Sequence, residues 1–204
     1  MKGKRCKSCR EPFTPSRPLQ SACSVPCAIA LTSATKEKAR KAKEAMERKE
    51  HREAKERIKP HAQWIKEAEQ AVRDYRRRYE LSIGSGCISC GNSQEIILAA
   101  QGWKTGGAFD AGHFLGKGAR PELRMEPNNI WLQCKGCNSG SYMHARKGHT
   151  VSQGFRVGLI DRIGLEAVEA LEADHEPRKY TIEDLKAIKA EYRAKVRELK
   201  KASQ

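Results

Sequence analysis

The chain has no long apolar run: none of its 204 residues falls in a stretch approaching the roughly 18 apolar side chains that span a bilayer. Its opening residues, MKGKRCKSC, likewise lack the apolar segment of a secretory leader. No membrane association is therefore expected, and the expected compartment is the cytoplasm. Acidic charge is also in short supply, with 25 Asp and Glu against 40 Lys and Arg, for a formal net charge of +15. A chain this basic is attracted at long range to a polyanion, and a nucleic acid is the first candidate partner; the plainer alternative is a set of evenly solvated surface charges. Hydrophobic residues make up 38% of the chain, which suits one compact domain or two small ones with a modest core.

Cysteine is what the sequence does have. All eight occur in close pairs, and in a reducing compartment such pairs point to metal ligation in preference to disulfides. Residues 1–31 contain Cys6-x2-Cys9, thirteen intervening residues and Cys23-x3-Cys27, with too few apolar residues for an ordinary core. Four thiolates can hold one tetrahedral zinc, and zinc binding can supply the folding energy of so small a unit. Cys87-x2-Cys90 and Cys134-x2-Cys137 form a second quartet, with 43 residues between its two knuckles. A zinc held by four thiolates has no open position, so both ions are expected to be structural.

The expected organisation has four parts: a zinc finger over 1–31, a charged helical region over 32–83, a zinc-bearing core over 84–148 and a helical region over 149–204. From about Ser33 to Lys59 the chain is rich in helix formers, with Glu37/Lys41, Glu44/Arg48 and Glu53/Arg57 at i,i+4 but no wide apolar stripe. Such a helix is a solvated connector or a surface for a charged partner. After Pro60 a second helix carries the stripe Trp64, Ile65, Ala68, Val72, Tyr75 and Tyr79. Its other face gathers Arg73, Arg76, Arg77 and Arg78, of which Arg76 and Arg77 are candidate phosphate contacts. Residues 84–144 read as short strands and loops. The stretch 154–171 reads as a helix weakened by three glycines, and 181–200 as a firm helix with a Thr181/Asp184 cap and the stripe Ile182, Leu185, Ile188, Tyr192, Val196 and Leu199. That last stripe can pack on the protein's own body or on a second copy.

The segment between the paired knuckles contains FDAGHFLGKGARPELRMEPNNIWLQC, which brings in Asp110, His113, Arg124 and Asn129, with Asn138 just beyond. Phosphodiester hydrolysis needs a base that works near neutral pH and a divalent ion to stabilise developing charge. His113 supplies the first. A hard ion such as Mg²⁺ or Mn²⁺ takes oxygen ligands, and the Asp110 carboxylate and the Asn138 side-chain carbonyl fit it. Arg124, Lys117 and Arg120 are candidate DNA contacts around a glycine-rich turn, and His144 is a rival ligand or a phosphate contact. His51, His61, His149 and His175 lie in polar contexts and receive no role.

In their order, DAGHF, then LR, then NNI leading into QCKGCN, these residues resemble the His-Asn-His endonucleases of ββα-metal fold. They look most like the phage NinG (Rap) recombination proteins, and the Asp, His and post-knuckle Asn are similar to those of phage endonuclease VII. The resemblance to NinG extends over nearly the whole chain. It implies a helix-rich α+β protein whose small zinc-stabilised ββα-metal nuclease core is flanked by helices and preceded by a zinc finger. It further implies His113 as general base, Asn129 as the brace of the intervening loop, and Asn138 and Asp110 as ligands of a catalytic divalent ion. The chain departs from the commonest pattern in having Gly112 where an acidic residue directly precedes the histidine. The activity so implied is cleavage of branched DNA, Holliday junctions or D-loops, in a phage-infected host cell. Two symmetric cuts at a four-way junction suit a two-fold dimer, so a homodimer is a hypothesis tied to the C-terminal stripe. The rival readings are a non-enzymatic zinc-finger DNA-binding or annealing factor and an RNA-binding zinc protein.

Overall fold

The computed structural model describes residues 3–101, 107–140 and 148–202. The chain separates into two compact units, Met1–Lys59 and Pro60–Gln204, so the helical region expected over 32–83 is divided between them.

In the first unit, two-residue strands β1 (Lys4–Arg5) and β2 (Pro12–Phe13) pair antiparallel around the Cys6–Cys9 knuckle. Helix α1 (Val25–Arg57) starts earlier than its charge pattern suggests, because Ser24 is extended and its hydroxyl accepts the Cys27 N–H. Cys27 therefore sits in the first helical turn. No residue of α1 is buried. Its support is local: Glu37 meets Lys41 at 2.7 Å, Arg40 meets Glu44 at 3.1 Å and Lys49 meets Glu53 at 3.9 Å.

The second unit is built on α2 (His61–Ser82) and α7 (Ile182–Ala202). Trp64, Ala68 and Val72 of α2 share a core with Leu185 and Tyr192 of α7, and Tyr75 packs on Tyr192 with ring centroids 5.5 Å apart. Burying a side chain such as Leu185 stabilises by about 2 kcal/mol. The stripe of α7 is thus covered by the protein's own body, which removes the observation on which the homodimer hypothesis rested. Thr181 and Asp184 cap α7 reciprocally: the Asp184 carboxylate accepts the Thr181 N–H and the Thr181 hydroxyl accepts the Asp184 N–H.

A hairpin crosses α2. Strands β3 (Phe109–His113) and β4 (Ile130–Cys134) are antiparallel, with Asp110 opposite Gln133 and His113 opposite Ile130. Arg73 and Arg76, one helical turn apart on α2, bind the two strands: Arg73 Nε donates to the Ala111 carbonyl and Arg76 Nε to that of Ile130, both at 2.9 Å. A one-turn helix, α4 (Lys135–Asn138), follows β4 directly because the Cys134 sulfur accepts the Cys137 N–H.

Two elements differ from expectation. Residues 84–144 also contain a helix, α3 (Gln94–Gln101), in a stretch of Gln, Glu, Leu and Ala that favours helix. The helix expected over 154–171 is two, α5 (Val151–Ile163) and α6 (Leu165–Ala173), because Gly164 turns the chain at φ 84°. The whole is a helix-rich α+β protein with two small sheets. Among the described residues no helix is long and apolar enough to cross a membrane.

Candidate functional site

None of the eight cysteines is in a disulfide, and they form two quartets, each with its four sulfurs within 4.8 Å of one another. In the first, Cys9 and Cys27 each lie 3.6 Å from Cys23. A disulfide needs about 2.05 Å, whereas sulfurs about 2.3 Å from a shared zinc stand roughly 3.8 Å apart along the edges of a tetrahedron. The donors therefore fit zinc. Their electrostatics agree: the backbone N–H of Cys9 lowers the Cys6 thiol to about 6, while the neighbouring Cys9 sulfur pushes Cys23 up to about 12. In the second quartet Cys87 is lowered by its sulfur neighbours Cys134, Cys137 and Cys90, and Cys137 is raised. Four thiolates crowd more negative charge than they can carry alone, and a divalent cation offsets it. Cys6, Cys9, Cys23 and Cys27 would hold one structural zinc and Cys87, Cys90, Cys134 and Cys137 the other.

The second quartet is part of a core with Ile97, Phe109 and Leu132, which fixes the ends of the hairpin. His113 closes β3. Its Nε2 lies 3.0 Å from the Arg124 carbonyl, an acceptor only, so Nε2 carries the proton and Nδ1 keeps a lone pair. Burial lowers the pKa of this imidazole, opposed by the Arg124 hydrogen bond and the Glu69 carboxylate and reinforced by Arg73 and Lys117. It is a neutral, proton-accepting base at neutral pH.

Asn129 is fully buried. Its amide donates to the Leu115 and Leu123 carbonyls at 3.0 and 3.1 Å and accepts the Leu115 N–H at 2.8 Å. These bonds tie together both sides of the loop that carries the Arg124 carbonyl. Asn138 ends α4, and its Nδ2 donates to Asp110 Oδ2 at 3.2 Å; the other Asp110 oxygen accepts from Lys135 at 2.9 Å. A cleft is lined by His113, Gln133, Asn138, His149, Gln153 and Phe155 among the described residues. Asp110 and Asn138 are in contact, and a carboxylate and an amide carbonyl are ligand types suited to a hard divalent ion.

The expected DNA contacts divide. Arg76 is 9% exposed, bonded to Ile130 and Glu80 and stacked 4.2 Å from the Trp131 ring centroid. It is a packing residue and not a phosphate contact. Arg120 is corrected likewise: it is bonded to Glu122 and to the carbonyls of Glu172 and Asp174. Lys117 and Arg124 flank the buried Glu69 at 2.6 and 3.7 Å, close to His113. Arg77 is partly exposed, 3.9 Å from Asp74. His144 lies outside the described residues.

Sequence reasoning missed Glu69, Gln133 and His149. Glu69 sits on the apolar-looking face of α2, where no pattern marks a carboxylate. Gln133 could have been found from strand alternation, since it faces Asp110. His149 has no local signal, and only tertiary structure brings it to the cleft.

Fold and site together define a helix-rich α+β protein with two four-cysteine clusters suited to structural zinc and a histidine-bearing hairpin between the halves of one of them. The family model described as Bacteriophage Lambda NinG protein matches residues 1–202, and the chain belongs to that family. It is 40% identical to Protein ninG of Salmonella phage P22 across 97% of this chain and 94% of the relative. Protein ninG of Escherichia phage lambda is also 40% identical, across 97% and 93%, and that of Escherichia phage 933W is 38% identical, across 97% and 94%. No solved structure gives a significant match.

Proposed function

We propose that this chain is a metal-dependent endonuclease that cuts branched DNA such as Holliday junctions or D-loops, with β3, β4 and α4 serving as a ββα-metal core. The observation that carries the reading is the imidazole of His113, held by Nε2 on the Arg124 carbonyl with Nδ1 unprotonated, on a cleft it shares with Asn138. Nδ1 accepts a proton from water as the water oxygen bonds to phosphorus, and the bond from phosphorus to the leaving sugar oxygen breaks. Asp110 and Asn138 would hold a divalent ion, which would supply charge stabilisation for the phosphoryl oxygens and the leaving group. Asn129 keeps the loop in place for the histidine. Lys117, Arg124 and Arg77 meet the phosphate backbone, which recognises shape and position without reading sequence. The branched-DNA substrate follows from the resemblance of the DAGHF, NNI and QCKGCN segments to junction-processing enzymes.

The test is cleavage of a labelled four-way junction in Mg²⁺. The parent chain is expected to cut and His113→Ala to lose about 10²–10⁴-fold in rate while still binding the junction. Equal cutting by parent and mutant would remove catalysis from this site. Binding without cutting by both would favour a non-enzymatic DNA-binding factor, and preference for structured RNA at fixed salt would favour an RNA-binding protein.

A further inference from the structure

Gln133 is 4% exposed, and it stands opposite Asp110 in the hairpin, so both side chains leave the same face. Its Nε2 donates to Ser89 Oγ at 2.8 Å, and Ser89 is itself fully buried inside the Cys87–Cys90 knuckle. In this arrangement the nitrogen faces the knuckle and Oε1 faces Gly112. A Cβ added at Gly112 would stand 1.7 Å from Gln133 Oε1 and 2.9 Å from Asn138 Oδ1. Asn138 is oriented in the same way, because its Nδ2 is used on Asp110. Two amide oxygens from β4 and α4 are thus turned toward one spot by the hydrogen bonds of their own nitrogens, in room that only glycine leaves. Both residues line the cleft with His113.

Neutral oxygens gathered in this way repel one another unless a donor or a cation lies between them, and no described residue donates to Gln133 Oε1. We propose that Gln133 supplies a third side-chain oxygen to the divalent-ion site, beside Asn138 and Asp110, and that Ser89 is its positioning residue. The second quartet would then orient the ion site twice: through Cys137 to Asn138 on α4, and through the Cys87–Cys90 knuckle and Ser89 to Gln133. This inference rests on the reading of Asn138 and Asp110 as ligands.

Mn²⁺ alone, titrated into the zinc-loaded full chain and followed by the electron paramagnetic resonance of the free ion, tests the inference without any cleavage. Gln133→Ala is expected to weaken Mn²⁺ binding by about tenfold or more, Ser89→Ala by about tenfold, and Gln133→Glu to tighten it by adding a charge to the ligand set. Gly112→Ala, which forces the amide aside without removing it, is expected to weaken it as well. Zinc content and circular dichroism establish that each variant is folded. If Gln133→Ala loses its zinc, Gln133→Glu and Gly112→Ala decide, and parental affinity in both overturns the proposal. Loss of binding in Asn138→Ala with parental affinity in every Gln133 variant overturns this inference alone. A parent chain that binds no Mn²⁺, or an Asn138→Ala chain that binds as the parent does, overturns the ion-site reading itself.

Discussion

The two cysteine quartets have the same ligands and opposite surroundings. In the first, Cys9 and Cys23 are exposed, the flanking strands are two residues long, and the helix that carries Cys27 buries nothing. In the second, three of the four cysteines are buried and the cluster shares a core with Ile97, Phe109 and Leu132. The first ion would stand in for a core. The second would brace a core that already exists and, through Cys134 and Cys137, would set the strand-to-helix corner on which Asn138 sits. Identical chemistry does different structural work according to how much apolar surface surrounds it: binding would stabilise both folded sites, but the first unit has little packing besides and the second has a core of its own.

The sharpest way to break the comparison is to remove one ligand from each quartet. Cys137→Ser is expected to lower the zinc content from about two ions per chain to one and to abolish junction cleavage, since a structural site is worth on the order of 10 kcal/mol. Cys9→Ser is expected to lose one zinc as well, but to leave the cooperative unfolding transition of residues 60–204 within about 1 kcal/mol of the parent. Elemental analysis and urea unfolding followed by tryptophan fluorescence read both outcomes, because all three tryptophans lie in the second unit. Equal damage from the two mutations would mean that the quartets are not the separate devices the packing suggests.

Ion pairs sharpen the same contrast at smaller magnitude. Arg76 and Glu80 on α2 and Glu37 and Lys41 on α1 are both i,i+4 pairs, at 2.9 and 2.7 Å. The Glu80 side chain is 1% exposed and also meets Arg162, whereas Glu37 is 56% exposed. Arg76→Ala leaves a buried carboxylate short of a partner and is expected to cost about 3 kcal/mol in urea unfolding. Glu37→Gln is expected to cost no more than about 0.5 kcal/mol.

The smallest effect expected is in the pH profile. Burial depresses the His113 pKa below its ordinary 6.5, so the proton-accepting form persists to lower pH than in a solvated histidine. The rate of junction cleavage is expected to rise with pH on a limb centred below 6.5 and to be level by neutral pH. Removing Glu69, which raises that pKa, should move the limb further down; Glu69→Gln and a rate profile between pH 5 and 8 check the direction.

Much of this was legible from local pattern. The cysteine spacings marked both quartets, and the stripes of α2 and α7 marked the faces that meet. The Thr181/Asp184 pair marked the start of α7, because capping depends on residues three apart. The errors came where a side chain's role depends on what lies across from it. Arg76 looks like its neighbour Arg77 in the sequence, yet one is buried against Glu80 and Trp131 and the other is partly exposed. Arg120 looked like a loop cation and serves as a bridge to the carbonyls of Glu172 and Asp174. The helix break at Gly164 was half visible, since glycine permits but does not require a positive φ.

By itself the sequence determined the basic charge, the helix-rich class, the two four-thiolate sets and the residue types that converge near His113, because each of these is written in composition or in spacings of three and four residues. Only the tertiary structure decided which nitrogen of His113 is free, which arginines are buried and where the Gln133 oxygen points. Those depend on hydrogen bonds between residues far apart in the chain, from His113 to the Arg124 carbonyl and from Gln133 to Ser89, and no local pattern encodes the partner at the other end.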